Sequence, residues 1–137
     1  EDFYESPLWS RNTNKQVFHN CGGIELGNTD NSNITANTLD SFSITPDLIK
    51  IDVEGFELKV LQGSMKTLNN HKPIVLIELH PENTDNETIK TILLSLGYKM
   101  YLIPNPYNKY QHYDYLAYHE DTKHGKFVQK LIDLNKI

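Results

Sequence analysis

Five polar side chains near the middle of the chain have the types and spacing that acid–base chemistry requires. Asp52, Glu54 and Glu57 follow one apolar segment, while Glu78 and His80 close the next. A charged group beside an apolar strand is costly unless it is paired, hydrated or used in a reaction. One of these groups can serve as a general base, and two of the carboxylates together can ligate a divalent cation.

A purely structural interpretation of the same residues also stands. Asp52 or Glu54 can cap the helix expected after Gly55, because a carboxylate is stabilised at a helix N-terminus. His80 precedes Pro81 and can be an ordinary turn residue. The spacing alone leaves both interpretations open.

The flanking segments predict an α/β architecture. Two short apolar runs read as strands buried on both faces, and helical spacing of apolar residues alternates with them. In order, the predicted elements are a strand at 48–51, a helix at 56–62 ended by Gly63, more helix at 64–70, a strand at 74–79, a helix at 86–96, strands at 98–103 and 112–118, and a helix at 127–134. Such alternation favours parallel strands, whose carboxyl ends share one edge of the sheet. We therefore expect the acidic residues to converge there.

Residues 1–47 are more polar and more broken. Gly22 to Leu26 could form a short strand, and the stretch from Asn28 to Asn37 is rich in turn formers. At 137 residues the chain fits one domain, which we expect to span 1–137.

Composition excludes several classes of function. Thirteen basic against eighteen acidic residues give a net charge of −5, so a nucleic-acid partner is not expected. No apolar run is long enough to span a membrane. Cys21 is the single cysteine, which excludes an internal disulfide and a multi-cysteine zinc site. Cysteine scarcity is typical of an intracellular protein, and we expect a cytoplasmic one.

One motif suggests a different enzyme. Pro46-Asp47 followed by Glu57-Leu58-Lys59 has the P-D…E-x-K order of a metal-dependent nuclease core. That chemistry requires Glu57 and Lys59 to lie on a strand beside the first acid, so that two carboxylates share a cation. The acidic balance of the chain argues against it.

Seven of the eight tyrosines lie between Tyr98 and Tyr118. They can line a pocket for a sugar or another ring-bearing acceptor. They can equally fill a half-exposed sheet face, where tyrosine is common.

Longer stretches carry a family resemblance. Thr38-Leu39-Asp40-Ser41-Phe42, the core IKIDVEGFELKVLQG at 49–63 and the strand PIVLIE at 73–78 resemble the FkbM family of S-adenosylmethionine-dependent methyltransferases. Segments near residues 20–26, 96–98 and 113–117 are also similar to that family, so the resemblance covers roughly residues 16–118.

The resemblance implies a class I methyltransferase fold, which is a Rossmann-like sheet whose last strand is antiparallel. It implies S-adenosyl-L-methionine as cofactor and methyl transfer to a hydroxyl of a sugar, glycan or small metabolite. Asp52, Glu54 and His80 are then the candidate catalytic residues, and Asp52 and Val53 the candidate cofactor contacts. Glu57 and Glu78 are assigned to substrate binding or orientation, and no metal ligand is assigned.

The first strand and glycine-bearing cofactor loop of that family have no counterpart in the sequence. We therefore expect the chain to be the C-terminal half of the domain, working with a missing N-terminal half as part of a longer protein. The alternative is a degenerate, non-catalytic module for binding or assembly.

Overall fold

A computed structural model describes residues 37–104 and 113–137. A short 3-10 helix, Leu39–Phe42, leads into strand β1 (Leu48–Ile51), helices α1 (Glu57–Gln62) and α2 (Met65–His71), and strand β2 (Ile74–Leu79). Helix α3 (Asn86–Ser95), strands β3 (Lys99–Leu102) and β4 (Tyr113–Tyr118), and helix α4 (Lys123–Asp133) complete the order. The predictions for Cys21, for the strand at 22–26 and for most of the loop after it lie outside the described residues.

The four strands form one mixed sheet in the order β1-β2-β4-β3. β1 and β2 are parallel, with Leu48 opposite Ile74 and Ile51 opposite Ile77. β4 runs antiparallel to both of its neighbours, β2 and β3. An α/β fold with an antiparallel last strand is therefore confirmed. Although β1, β2 and β3 share one direction, only one neighbouring pair is parallel, because β4 lies between β2 and β3.

The core lies on one face of this sheet. Ile51 of β1 and Val75, Ile77 and Leu79 of β2 are buried there against side chains of the helices, which are Leu61, Leu68, Ile89 and Leu93. The opposite face is more open: Leu48 is 56% exposed, and β2 alternates between buried and half-buried residues. The prediction of burial on both faces is therefore wrong for β1, since the described helices that build the core pack on the face that carries Ile51.

Helix positions follow the sequence except at the end of the chain. α1 and α3 lie where apolar spacing predicted them. α4 begins at Lys123, four residues before the predicted start, because the Thr122 hydroxyl accepts a hydrogen bond from the Gly125 N–H at 2.9 Å. The sequence did not predict this first turn of α4, because it contains Gly125 and glycine disfavours helix. It is required there because an added Cβ would lie 1.7 Å from the His119 carbonyl oxygen.

A long-range cap joins the 3-10 helix to α2. The Asp40 carboxylate accepts hydrogen bonds from the backbone N–H groups of Lys66 and Thr67, at 3.0 and 2.8 Å, in the first turn of α2. Burial raises the pKa of Asp40, but these hydrogen bonds to its charged form prevail, and the pKa lies below its usual value. Asp40 thus performs the capping that Ser64, the residue at the N-cap position, does not.

None of the helices in residues 37–104 and 113–137 has both the length and the apolar character needed to cross a bilayer.

The buried side chain of His119 should make the free energy of unfolding depend on pH. Its side chain is buried against the Tyr98 ring, with centroids 4.3 Å apart, and its Nε2 has no hydrogen-bond partner among the described residues. Burial, and secondarily the charge of Lys72, lower the pKa of His119, although Asp121 and a hydrogen bond with Leu96 oppose this. The unfolded chain therefore takes up the proton first as pH falls, and the folded state loses stability below about pH 6.5.

We expect the free energy of unfolding to fall between pH 7 and pH 5, and His119→Phe to flatten that slope. Urea denaturation across this range measures it, with the exposed His124→Phe as the matched control. An identical slope in wild type and His119→Phe would contradict the assignment.

Candidate active site

The parallel pairing of β1 and β2 brings two polar loops to one edge of the sheet. Residues 52–56 connect β1 to α1, and residues 80–85 connect β2 to α3. Because β1 and β2 run in the same direction in register, their carboxyl ends lie side by side. The prediction that the acidic ends of these strands share one rim is confirmed.

His80 lies at the centre of this rim. Its Nε2 is 3.5 Å from Glu54 Oε2 and 4.0 Å from Glu78 Oε1, and its Nδ1 is 3.8 Å from Glu82 Oε1. The His80 side chain is only 16% exposed. These four residues are called the His80 cluster below. The sequence analysis did not identify Glu82. It lies in a turn after Pro81, where no helical or strand periodicity indicates which way a side chain faces.

Backbone strain accompanies the approach of Glu54 to His80. Glu54 has φ +49° and Gly55 has φ +96°, so two consecutive residues have positive φ, the left-handed region of backbone conformation. Glycine adopts this conformation freely, but a residue with a Cβ such as glutamate rarely does. Strain of this kind persists only where the surrounding structure imposes it, and it is concentrated at functional sites.

Glu57 ties the two loops together. Although glutamate is an ionisable residue that is usually exposed, Glu57 is only 1% exposed. Its Oε1 accepts the Gly55 N–H at 3.0 Å, and its Oε2 accepts the side-chain amide of Asn83 at 3.1 Å. One carboxyl group therefore links the loop that carries Glu54 to the loop that carries His80. The substrate-binding or orienting role assigned to Glu57 stays a prediction.

Asp52 pairs with a lysine of β1. Its carboxylate forms an ion pair with Lys50, and its side chain is 33% exposed. This charge-assisted hydrogen bond, opposed by slight burial, raises the pKa of Lys50. Val53 packs partly buried against the core. Of the residues singled out in the sequence, Glu54, Glu78 and His80 come together, while Asp52 pairs with Lys50.

The capping interpretation of Asp52 and Glu54 stays a prediction. The N-cap position of α1 is Phe56, whose side chain makes no capping hydrogen bond. Glu57, the first residue of α1, reaches back to accept the Gly55 N–H, which precedes the N-cap position.

The nuclease interpretation is also wrong. Glu57, Leu58 and Lys59 lie in the first turns of α1, and not on a strand. Among residues 37–104 and 113–137, no group of three or more His, Cys, Asp or Glu side chains is arranged to hold a metal ion.

The five described tyrosines of this group do not form one patch. The Tyr98 hydroxyl donates to the Leu68 carbonyl, Tyr101 to the Ile137 carbonyl and Tyr118 to Gln129, so these three serve packing. Tyr113 and Tyr115 instead line a cleft near the sheet edge. Tyr107 and Tyr110 lie outside the described residues.

Comparison with known proteins gives a match to one protein family. A family model described as a methyltransferase FkbM domain matches residues 9–100, which is more than half of the chain. No significant match was found among curated proteins or solved structures.

The Glu57 bridge can be tested by exchanging donors and acceptors. In Glu57→Gln, the side-chain NH2 group of the glutamine must face another hydrogen-bond donor, which is either the Gly55 N–H or the side-chain NH2 of Asn83. We expect this unsatisfied pair to destabilise the fold by about 1–3 kcal/mol. Adding Asn83→Asp supplies an acceptor for the new amide donor, and it should restore part of the loss.

Urea denaturation of the two single variants and the double variant gives the coupling energy directly. The surface substitution Glu120→Gln is the matched control, since Glu120 pairs with Lys99 on the exterior. Additive effects of Glu57→Gln and Asn83→Asp would show that the two side chains are not energetically coupled.

Proposed function

The chain belongs to the FkbM methyltransferase family, and from this membership we propose that it serves in S-adenosylmethionine-dependent transfer of a methyl group to a hydroxyl oxygen of a sugar, glycan or small metabolite. The match to the family supports methyltransferase activity in general. The choice of a hydroxyl acceptor draws support from the His80 cluster, because a hydroxyl must lose its proton as its oxygen is methylated.

The chemistry of the rim fits the cofactor. When bound, S-adenosylmethionine supplies a methyl group on a positively charged sulphur and also carries an ammonium group. Asp52, Glu54 and Glu78 place carboxylates at the edge where α/β sheets bind ligands. We assign Asp52 and the adjoining Val53 to the cofactor, because they follow β1 directly and Asp52 stays accessible beside Lys50.

His80 is proposed as the general base. Its Nε2 would accept the hydroxyl proton of the acceptor, and the carboxylates of Glu54 and Glu78 would stabilise the resulting imidazolium. The observation that carries this role is the 3.5 Å approach of Glu54 to His80 across two parallel strands. Glu57 acts as a positioning residue, since it holds both loops at the required separation.

His80→Asn removes the base but keeps a polar side chain. In the full-length protein we expect kcat to fall by about 10²–10⁴-fold, the range for loss of a general base. Affinity for S-adenosylhomocysteine, measured by calorimetry, should change little. The measurement is transfer of a labelled methyl group to the acceptor.

His124→Asn is the matched control, because it makes the same substitution at an exposed histidine whose partner Asp47 precedes β1 and lies away from the rim. It should leave the rate within a few-fold of wild type. Wild-type turnover by His80→Asn would remove His80 from the mechanism.

Asp52→Ala tests the cofactor role. We expect this variant of the full-length protein to abolish methyl transfer and to weaken binding of S-adenosylhomocysteine. Lys50→Ala is the matched control, because it breaks the same ion pair while keeping the carboxylate. Equal losses in the two variants would assign the effect to the ion pair. If the wild-type full-length protein binds no S-adenosylhomocysteine, the non-catalytic module is the better description.

A further inference from the structure

Helix α4 presents one side to the sheet and a different one to solvent. Gly125 and Val128 are buried, and the Tyr118 hydroxyl of β4 donates to Gln129 Oε1 at 2.6 Å. These contacts fix which side of the helix packs against β4. The residues on the opposite side are therefore turned away from the described core.

Two large apolar side chains lie on that opposite side. Phe127 is 60% exposed, and Leu134, the residue at the C-cap position of α4, is 54% exposed. They are separated by about two helical turns, so they share one side of the helix. Single exposed apolar residues are ordinary on a protein surface, and this pair gains its meaning from the residues around it.

Three lysines surround the pair. Lys123, Lys126 and Lys130 are all exposed, and they lie three or four residues from Phe127. The ion pairs that lysines form with carboxylates within the described residues belong to β1, α3 and β3 instead. These three lysines, Phe127 and Leu134 are called the outward face of α4 below.

The charge of α4 is opposite to that of the whole chain. α4 holds three lysines against the single carboxylate of Asp133, whereas the chain has a net charge of −5. The Asp133 carboxylate already accepts a hydrogen bond from the Gln129 side-chain amide at 2.8 Å. Positive charge is therefore concentrated on one face of an acidic protein, which attracts an anionic partner to that face.

The shape of the outward face favours a flat partner. The surface of a single helix is convex, and no residue of α4 lines the cleft beside the β2–α3 loop. A peptide partner needs a groove for its apolar side chains, whereas a lipid surface accepts apolar side chains that project. Lysine suits such a surface, since its apolar stem lies beside the acyl chains while its ammonium reaches the headgroups.

We propose that the outward face of α4 binds an anionic lipid surface. Phe127 and Leu134 enter the boundary between headgroups and acyl chains, and the ammonium groups of the three lysines contact lipid phosphates. The remainder of the chain is net negative and is repelled by such a surface, which orients the molecule with α4 towards the lipid. This contact is interfacial and reversible, and it needs no membrane-spanning helix.

Co-sedimentation of the full-length protein with vesicles tests this binding. The probes are vesicles of equimolar phosphatidylglycerol and phosphatidylcholine, and vesicles of phosphatidylcholine alone. We expect binding to the anionic vesicles that weakens as salt is raised, and little binding to the neutral ones. Phe127→Ser should weaken the binding by about tenfold, because it removes the inserted ring. Replacing all three lysines of the outward face by glutamine should weaken it by about a hundredfold.

Each variant has a matched control elsewhere on the surface. Leu94→Ser changes an apolar residue of α3 that is 58% exposed. The triple change Lys59→Gln, Lys66→Gln and Lys72→Gln removes the same charge from exposed positions on α1, on α2 and directly after α2. Both controls should bind anionic vesicles nearly as well as the wild type. Thermal unfolding of every variant checks that the fold is retained.

Several results would contradict the proposal. Equal binding to neutral and anionic vesicles, or an equal loss in the control lysine variant, would show that the outward face does not recognise anionic lipid. A loss in the α4 lysine variant with none in Phe127→Ser would indicate a soluble polyanion as the partner. If the wild type binds no vesicles and Phe127→Ser dissociates a dimer in sedimentation velocity, the outward face joins two copies of the chain.

Discussion

The candidate site depends on one buried carboxyl group. Glu57 is almost fully withdrawn from water, and both of its oxygens are occupied by donors from different loops. A buried carboxyl group without such partners would be strongly unfavourable, so the fold tolerates Glu57 only while both loops stay in place. The same two loops carry Glu54 and His80. Stability and site geometry are therefore coupled through a single side chain.

The sheet explains why one residue can do this. A parallel pair places two successive strand ends side by side, so the loops that follow β1 and β2 are neighbours. The left-handed residues Glu54 and Gly55 then turn the first loop sharply after β1. Nothing in the local sequence favours that conformation at Glu54. Its presence next to the Glu57 bridge indicates that tertiary contacts hold the strain, as is common where geometry serves a reaction.

Two neighbouring regions of the rim differ in charge. The His80 cluster and Asp52 concentrate carboxylates, which suits a donor that carries positive charge. The cleft beside them pairs its lysine with Glu87 and is also lined by amide and phenol side chains. Asn86 touches both, because it lines the cleft and donates to the His80 carbonyl.

The sequence by itself determined the elements and the family. Apolar runs and helical spacing identified β1, β2, α1 and α3, and the segment from Ile49 to Gly63 carried the family resemblance. These signals are local, since they arise from the spacing of side chains within one element. Tertiary structure alone decided which acids meet. Asp52 and Glu54 are two residues apart, yet one pairs with Lys50 and the other with His80, and the backbone leaves the extended conformation at Glu54. The insertion of β4 beside β2, the Asp40 cap on α2 and the burial of Glu57 depend on contacts between residues distant in the chain, which no local pattern encodes.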